Sequence, residues 1–82
     1  MLKVIKIKID EIYVPAARQK ELDPEKVDQA AEALMNEVEE RPIQVRTGKG
    51  RYVLVKGVNR LEAHKALGDK TIGVYIVAAQ QF

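Results

Sequence analysis

Gly57, Val58, Asn59 and Arg60, with Lys56 before them and His64 and Lys65 one turn beyond, are the residues whose types and spacing suit chemistry on an anion. Arg60 offers a planar fork of donors, Lys56 a point charge, and Gly57 a place where backbone can approach a ligand without a side chain in the way. Tyr52–Lys56 reads as a strand buried on both faces, with Val53 and Val55 alternating with Tyr52 and Leu54. Asn59 is placed as the N-cap of a following helix, in which Leu61, Ala63, Ala66 and Leu67 give the apolar spacing and Gly68 the left-handed stop. A strand, a glycine turn and a helix start gather unpaired amides at the positive end of a helix dipole, which makes the turn a candidate anion or phosphate cradle. Most such turns in small α+β domains bind nothing, and basic residues beside them are often only solvated.

Bulk composition narrows the chemistry. The chain has no cysteine and one histidine, which removes disulfides, thiolate nucleophiles and thiolate metal sites and leaves too few imidazoles for a protein-only zinc site. A net charge of +2 is too small to argue nucleic-acid binding by itself, so the distribution of charge has to carry that argument. No apolar run approaches the length of a membrane span, and the N-terminus has no signal-peptide pattern; a cytoplasmic protein without membrane contact is expected. At 82 residues a single domain over 1–82 is expected, with 78–82 as a tail.

The elements that must position the turn follow in order. Residues 2–9 alternate apolar and lysine positions, predicting a strand with Ile5, Ile7 and Ile9 on a buried face and lysines in solvent, suited to a sheet edge. Residues 16–22 have no clear period and read as a loop. Asp23-Pro24-Glu25-Lys26 is a helix start, with aspartate as cap and proline at the first position. Val27, Ala30, Ala31, Leu34, Met35 and Val38 then predict an amphipathic helix to residue 38, with Met35 filling core and the acidic run Glu37, Glu39, Glu40 as a solvated helix end. Residues 42–46, the turn Thr47-Gly48-Lys49-Gly50 and residues 51–56 predict a hairpin, and residues 71–77 a last β-branched strand. Tyr52 and Tyr75 fall in strands as half-buried residues, not as a base-stacking platform. The order is that of a compact α+β domain with a mixed sheet of about four strands and two main helices.

Over nearly its whole length the chain resembles the ParB N-terminal-domain and sulfiredoxin superfamily. The resemblance rests on Asp10-Glu11-Ile12, Arg18, Leu22-Asp23-Pro24-Glu25-Lys26-Val27, Arg41-Pro42-Ile43-Gln44-Val45-Arg46, and Gly57 through Gly68 followed by Thr71-Ile72. It implies a phosphate-binding box at Gly57-Val58-Asn59-Arg60, with Lys26 in the place of a lysine that contacts ATP in sulfiredoxins and Arg18 near an arginine of the ParB N-terminal box. Gly57 and Arg60 match both families. Val58 stands where sulfiredoxins have cysteine and ParB domains glutamate; Asn59 stands where they have histidine and arginine. Without a thiolate, sulfinic acid reduction by the sulfiredoxin route is excluded.

The leading expectation is therefore a ParB-like, DNA-associated domain that binds nucleotide or nucleic-acid phosphate through Lys26, Gly57, Val58, Asn59, Arg60, Arg18 and His64. The cofactor expected is ATP or CTP with Mg²⁺. DNA contact would be to phosphate and salt-sensitive, since no helix-turn-helix follows residue 77. An enzymatic alternative, a small phosphotransferase or nuclease of the same fold, would need an acid beside the phosphates, from Asp10, Glu11, Asp23 or Glu62. Asp23 is already explained as a cap and Glu62 as first-turn charge. A third reading is a degenerate interaction module, with the acidic face of helix 24–38 and the Lys3, Lys6, Lys8 edge docking a protein partner or a second copy.

Overall fold

The structure, a computed structural model, describes residues 3–38 and 41–78. The expectations for Leu2, for Glu39 and Glu40, and for residues 79–82 of the tail lie outside the described residues. Five strands form one mixed sheet: β1 (Val4–Lys8), β2 (Ile12–Tyr13), β3 (Ile43–Gly48), β4 (Arg51–Lys56) and β5 (Thr71–Ile76), in the order β1-β5-β3-β4-β2. The antiparallel pairs are β1 with β5 and β3 with β4, and the parallel pairs are β3 with β5 and β2 with β4.

The fifth strand corrects the expectation of about four. β2 has two residues, and its pairing of Ile12 with Tyr52 and Tyr13 with Val53 is long-range, so no local alternation announces it. Residues 16–22 are likewise not all loop: Ala16–Gln19 form one helical turn, α1, whose Arg18 and Gln19 amides donate to the Pro15 carbonyl at 2.9 and 3.0 Å. β1 lies at a sheet edge as expected, its Lys6 and Lys8 in solvent and Ile7 and Ile9 buried. Ile5 departs from that pattern, 40% exposed at the open end of the edge strand.

The register shows which side of the sheet is covered. Ile7 pairs with Ile72, Ile43 with Val74, and Val45 with both Leu54 and Ile76, which puts these residues on one face. That face receives Val58 and Leu61 of α3 (Val58–Ala66), completing the core cluster with Ile9 and Ile12. Leu61 and Leu54, at 1% and 2% exposure, each gain roughly 1.5–3 kcal/mol from burial. Val53, on the other face of β4, is buried too. Gly50, at φ +67°, closes the β3–β4 hairpin.

Helix α2 (Pro24–Met35) begins as its sequence predicts: the Asp23 carboxylate accepts from the Glu25 amide at 3.0 Å, and Pro24 fills the first position. It packs beside α3. It ends three residues early. Asn36 is the cap, Glu37 takes the left-handed conformation at φ 56°, and the Val38 amide donates back to Ala33 at 2.9 Å. Met35 and Val38 are consequently 65% and 56% exposed and are not core residues.

Candidate functional site

The β4–α3 turn is built as the sequence suggests, but with a different residue at the cap. Gly57 is the N-cap of α3, at φ +111°, a left-handed conformation that suits glycine. A Cβ there would lie 2.6 Å from Cγ2 and 2.9 Å from Cβ of Ile43. The backbone of the turn thus sits directly on β3, and only glycine allows the approach. Asn59, expected as the cap, lies inside the helix, and its side chain bonds elsewhere: Oδ1 accepts from the Asp23 amide at 2.9 Å and Nδ2 donates to the Glu21 carbonyl at 3.3 Å. No side chain caps α3. Its first turn therefore keeps the unpaired amides that the N-terminus of a helix leaves over.

These amides border a groove of about 580 Å³ between the first turns of α2 and α3. Lys26, Gln29 and Ala30 line it from α2, Lys56, Gly57, Val58, Asn59 and Arg60 from the turn, and Glu21 from the loop before α2. The structure thus brings together five of the seven expected site residues: Lys26, Gly57, Val58, Asn59 and Arg60. Val58 contributes backbone, because its side chain is 4% exposed within the core cluster. Arg60 is braced by Nη1, which donates to the carbonyls of Arg41 and, at 3.4 Å, Pro42. A guanidinium carries five donors, so this brace leaves donors for a ligand. Three cations face one carboxylate, Glu21, along the groove.

Arg18 and His64 stand apart from it. Arg18 donates to the Val55 carbonyl at 3.2 Å and pairs with Glu21 at 3.4 Å, lining a separate hollow with Pro15, Arg46 and Val53. His64 Nδ1 lies 2.9 Å from Asp69 Oδ2, and the ring borders a smaller cavity of about 220 Å³ that shares only Arg60 with the main groove. Of the acids considered for catalysis, Asp23 caps α2, Asp10 and Glu11 are exposed in a short 3-10 turn, and Glu62 is half-buried in α3; none lines the groove. Among the described residues no group of three His, Asp or Glu side chains is placed to hold a metal ion, and no helix is long and apolar enough to cross a membrane. Sequence reasoning missed Glu21 and Gln29. Gln29, three residues after Lys26 on the same helical face, was within reach of the spacing argument.

A family model for the ParB N-terminal domain matches residues 1–81, and the chain belongs to that family. Its fold is that of several solved structures. A sulfiredoxin from Arabidopsis thaliana superposes with a TM-score of 0.80 at 27% identity, over 94% of this chain and 86% of that one. The C-terminally truncated chromosome-partitioning protein ParB from Caulobacter crescentus, complexed with CTP-gamma-S, gives 0.79 at 19% identity, over 96% of this chain and 46% of that one. A free serine kinase in complex with AMP gives 0.75 at 17% identity, over 99% of this chain and 32% of that one. The chain spans less than half of the ParB and kinase structures. No curated protein matches the sequence.

Proposed function

We propose that this domain binds a nucleotide, with its phosphates in the groove between α2 and α3. The observation that carries the reading is the convergence of Lys26, Lys56 and Arg60 on a helix start that has no side-chain cap. Amides of the turn and the Arg60 fork meet phosphate oxygens by charge-assisted hydrogen bonds, and Lys26 answers the same charge from the opposite wall. Supporting it, solved structures of this fold hold CTP-gamma-S and AMP. ATP and CTP are the nucleotides to try first. Mg²⁺ would accompany the phosphates, and among the described residues Glu21 is the one carboxylate that lines the groove. Contact with DNA phosphate is the extension of this reading, and it would use the same three cations.

The test is an NMR amide titration with ATP, CTP and ADP, each with Mg²⁺. Shifts centred on residues 57–60 and on Lys26 are expected, with affinity falling about tenfold in Lys26→Ala. A short DNA duplex added as competitor should displace nucleotide at low salt and fail to do so at high salt. If millimolar nucleotide leaves every amide of the groove unmoved, the domain is not a nucleotide binder.

A further inference from the structure

Asn59 lines the groove, but the polar atoms of its side chain are committed to protein. One carboxamide spans two backbone groups of the loop before α2, accepting from the Asp23 amide at 2.9 Å and donating to the Glu21 carbonyl at 3.3 Å. It pairs with that loop as a neighbouring strand would, and only one amide orientation satisfies both partners. A second tie holds the same loop. Arg18 donates to the Val55 carbonyl of β4 at 3.2 Å and holds the Glu21 carboxylate at 3.4 Å. The loop is therefore fastened at both of its ends to the strand–turn–helix that carries Gly57 and Arg60. Three residues past Asp23, where Asn59 holds the loop, comes Lys26, on the first turn of α2.

We infer that Asn59 and Arg18 are positioning residues: together they clasp the loop 18–23 to the β4–α3 turn and so set the span between Lys26 and the turn amides. The inference rests on the nucleotide reading of the groove. It assigns the two walls different tasks. The turn and Arg60 hold one phosphate unaided, and Lys26 reaches a second phosphate only while the clasp is closed. A ligand with one phosphate is then indifferent to Asn59, and a ligand with two is not. Asn59 acts through Lys26 and does not touch the ligand with its amide group.

The experiment compares ADP with inorganic phosphate on the wild-type protein, Asn59→Ala, Lys26→Ala and the double variant, read from the shifts of the Gly57 and Val58 amides. Asn59→Ala should weaken ADP by about five- to tenfold and phosphate by less than about twofold. Added to Lys26→Ala it should weaken ADP no further, because both changes remove the same contact. Hydrogen exchange at the Asp23 amide should quicken in Asn59→Ala, reporting the opened clasp directly. Should Asn59→Ala prove too unstable to titrate, Arg18→Ala opens the other tie without altering α3, and the same split between ADP and phosphate is expected. Equal weakening of both ligands overturns the inference, since Asn59 would then be touching phosphate. So does unchanged ADP affinity alongside quickened Asp23 exchange, which would make the clasp structural alone. A wild-type protein that binds ADP while Asn59→Ala binds it equally well removes only the clasp. Failure of the wild-type protein to bind either ligand removes the nucleotide reading and this inference with it.

Discussion

Helices α2 and α3 both send their first turns to the same groove, yet they begin in opposite ways. The start of α2 is closed: the Asp23 carboxylate accepts from the Glu25 amide and Pro24 has no amide to leave free. The start of α3 is open, with Gly57 in place of a side-chain cap and core contacts from Val58 and Leu61 holding the helix instead. A side-chain cap is worth about 1 kcal/mol, and α3 does without it. Of two adjacent positive helix ends, one is answered by a carboxylate of the protein and the other has no side-chain cap. The difference separates a helix start closed by its own local sequence from one held by tertiary packing.

The sharpest way to break the contrast is Gly57→Ala. The new methyl would meet Ile43, itself 2% exposed, at 2.6 Å, and the backbone would stay at φ +111°. Strain and overpacking together should destabilise the fold by about 3 kcal/mol or more, read as a fall in the denaturant midpoint. A loss below about 1 kcal/mol would mean that the turn can shift away from β3, and the close approach would lose its significance. Asp23→Ala tests the other helix start and should cost about 1 kcal/mol in stability. Nucleotide affinity should stay within about twofold, because the Asp23 amide held by Asn59 is backbone and survives the change. Affinity lost in parallel with stability would show that the two helix starts are not separate devices.

How far the sequence spoke for each region depended on whether the information was local. Asp23-Pro24-Glu25 declares the start of α2 within three residues, and the structure places the cap there. The β3–β4 hairpin and the stop at Gly68, at φ +81°, are equally local. Asn59 misled because its type suits an N-cap, whereas its partners lie 36 and 38 residues away in the loop before α2. The strand β2 was hidden for the same reason, being two residues long and paired in parallel with β4. Lys26 could be joined to the turn only through the family resemblance, since nothing in its own neighbourhood points to residue 57. Glu21 escaped both routes. The loop that carries it is shaped by Arg18 and Asn59, and that is tertiary information.

The helix ends extend the comparison and supply its smallest test. Both close in the same way. In α3 the Asp69 amide donates to His64 and the Gly68 amide to Lys65, each at 3.0 Å; in α2 the Val38 amide donates to Ala33 at 2.9 Å and the Glu37 amide to Leu34 at 3.2 Å. This is the Schellman arrangement, whose left-handed residue is usually glycine. α3 has Gly68 there, and α2 has Glu37 at φ 56°, which is why periodicity alone extended α2 to residue 38. A side chain in this conformation costs about 1 kcal/mol or more, and glycine returns part of that gain through its larger unfolded-state entropy. Glu37→Gly should therefore stabilise the protein by about 0.5–1 kcal/mol, seen as a higher urea midpoint with an unchanged slope. Gly68→Ala should lose a similar amount, through strain and not collision, since a Cβ at residue 68 meets nothing within 4 Å. Equal and opposite shifts would establish that the two helices share one stop and differ at their starts. A neutral Glu37→Gly would instead tie the early end of α2 to the connection toward Pro42, and the symmetry of the two stops would be superficial.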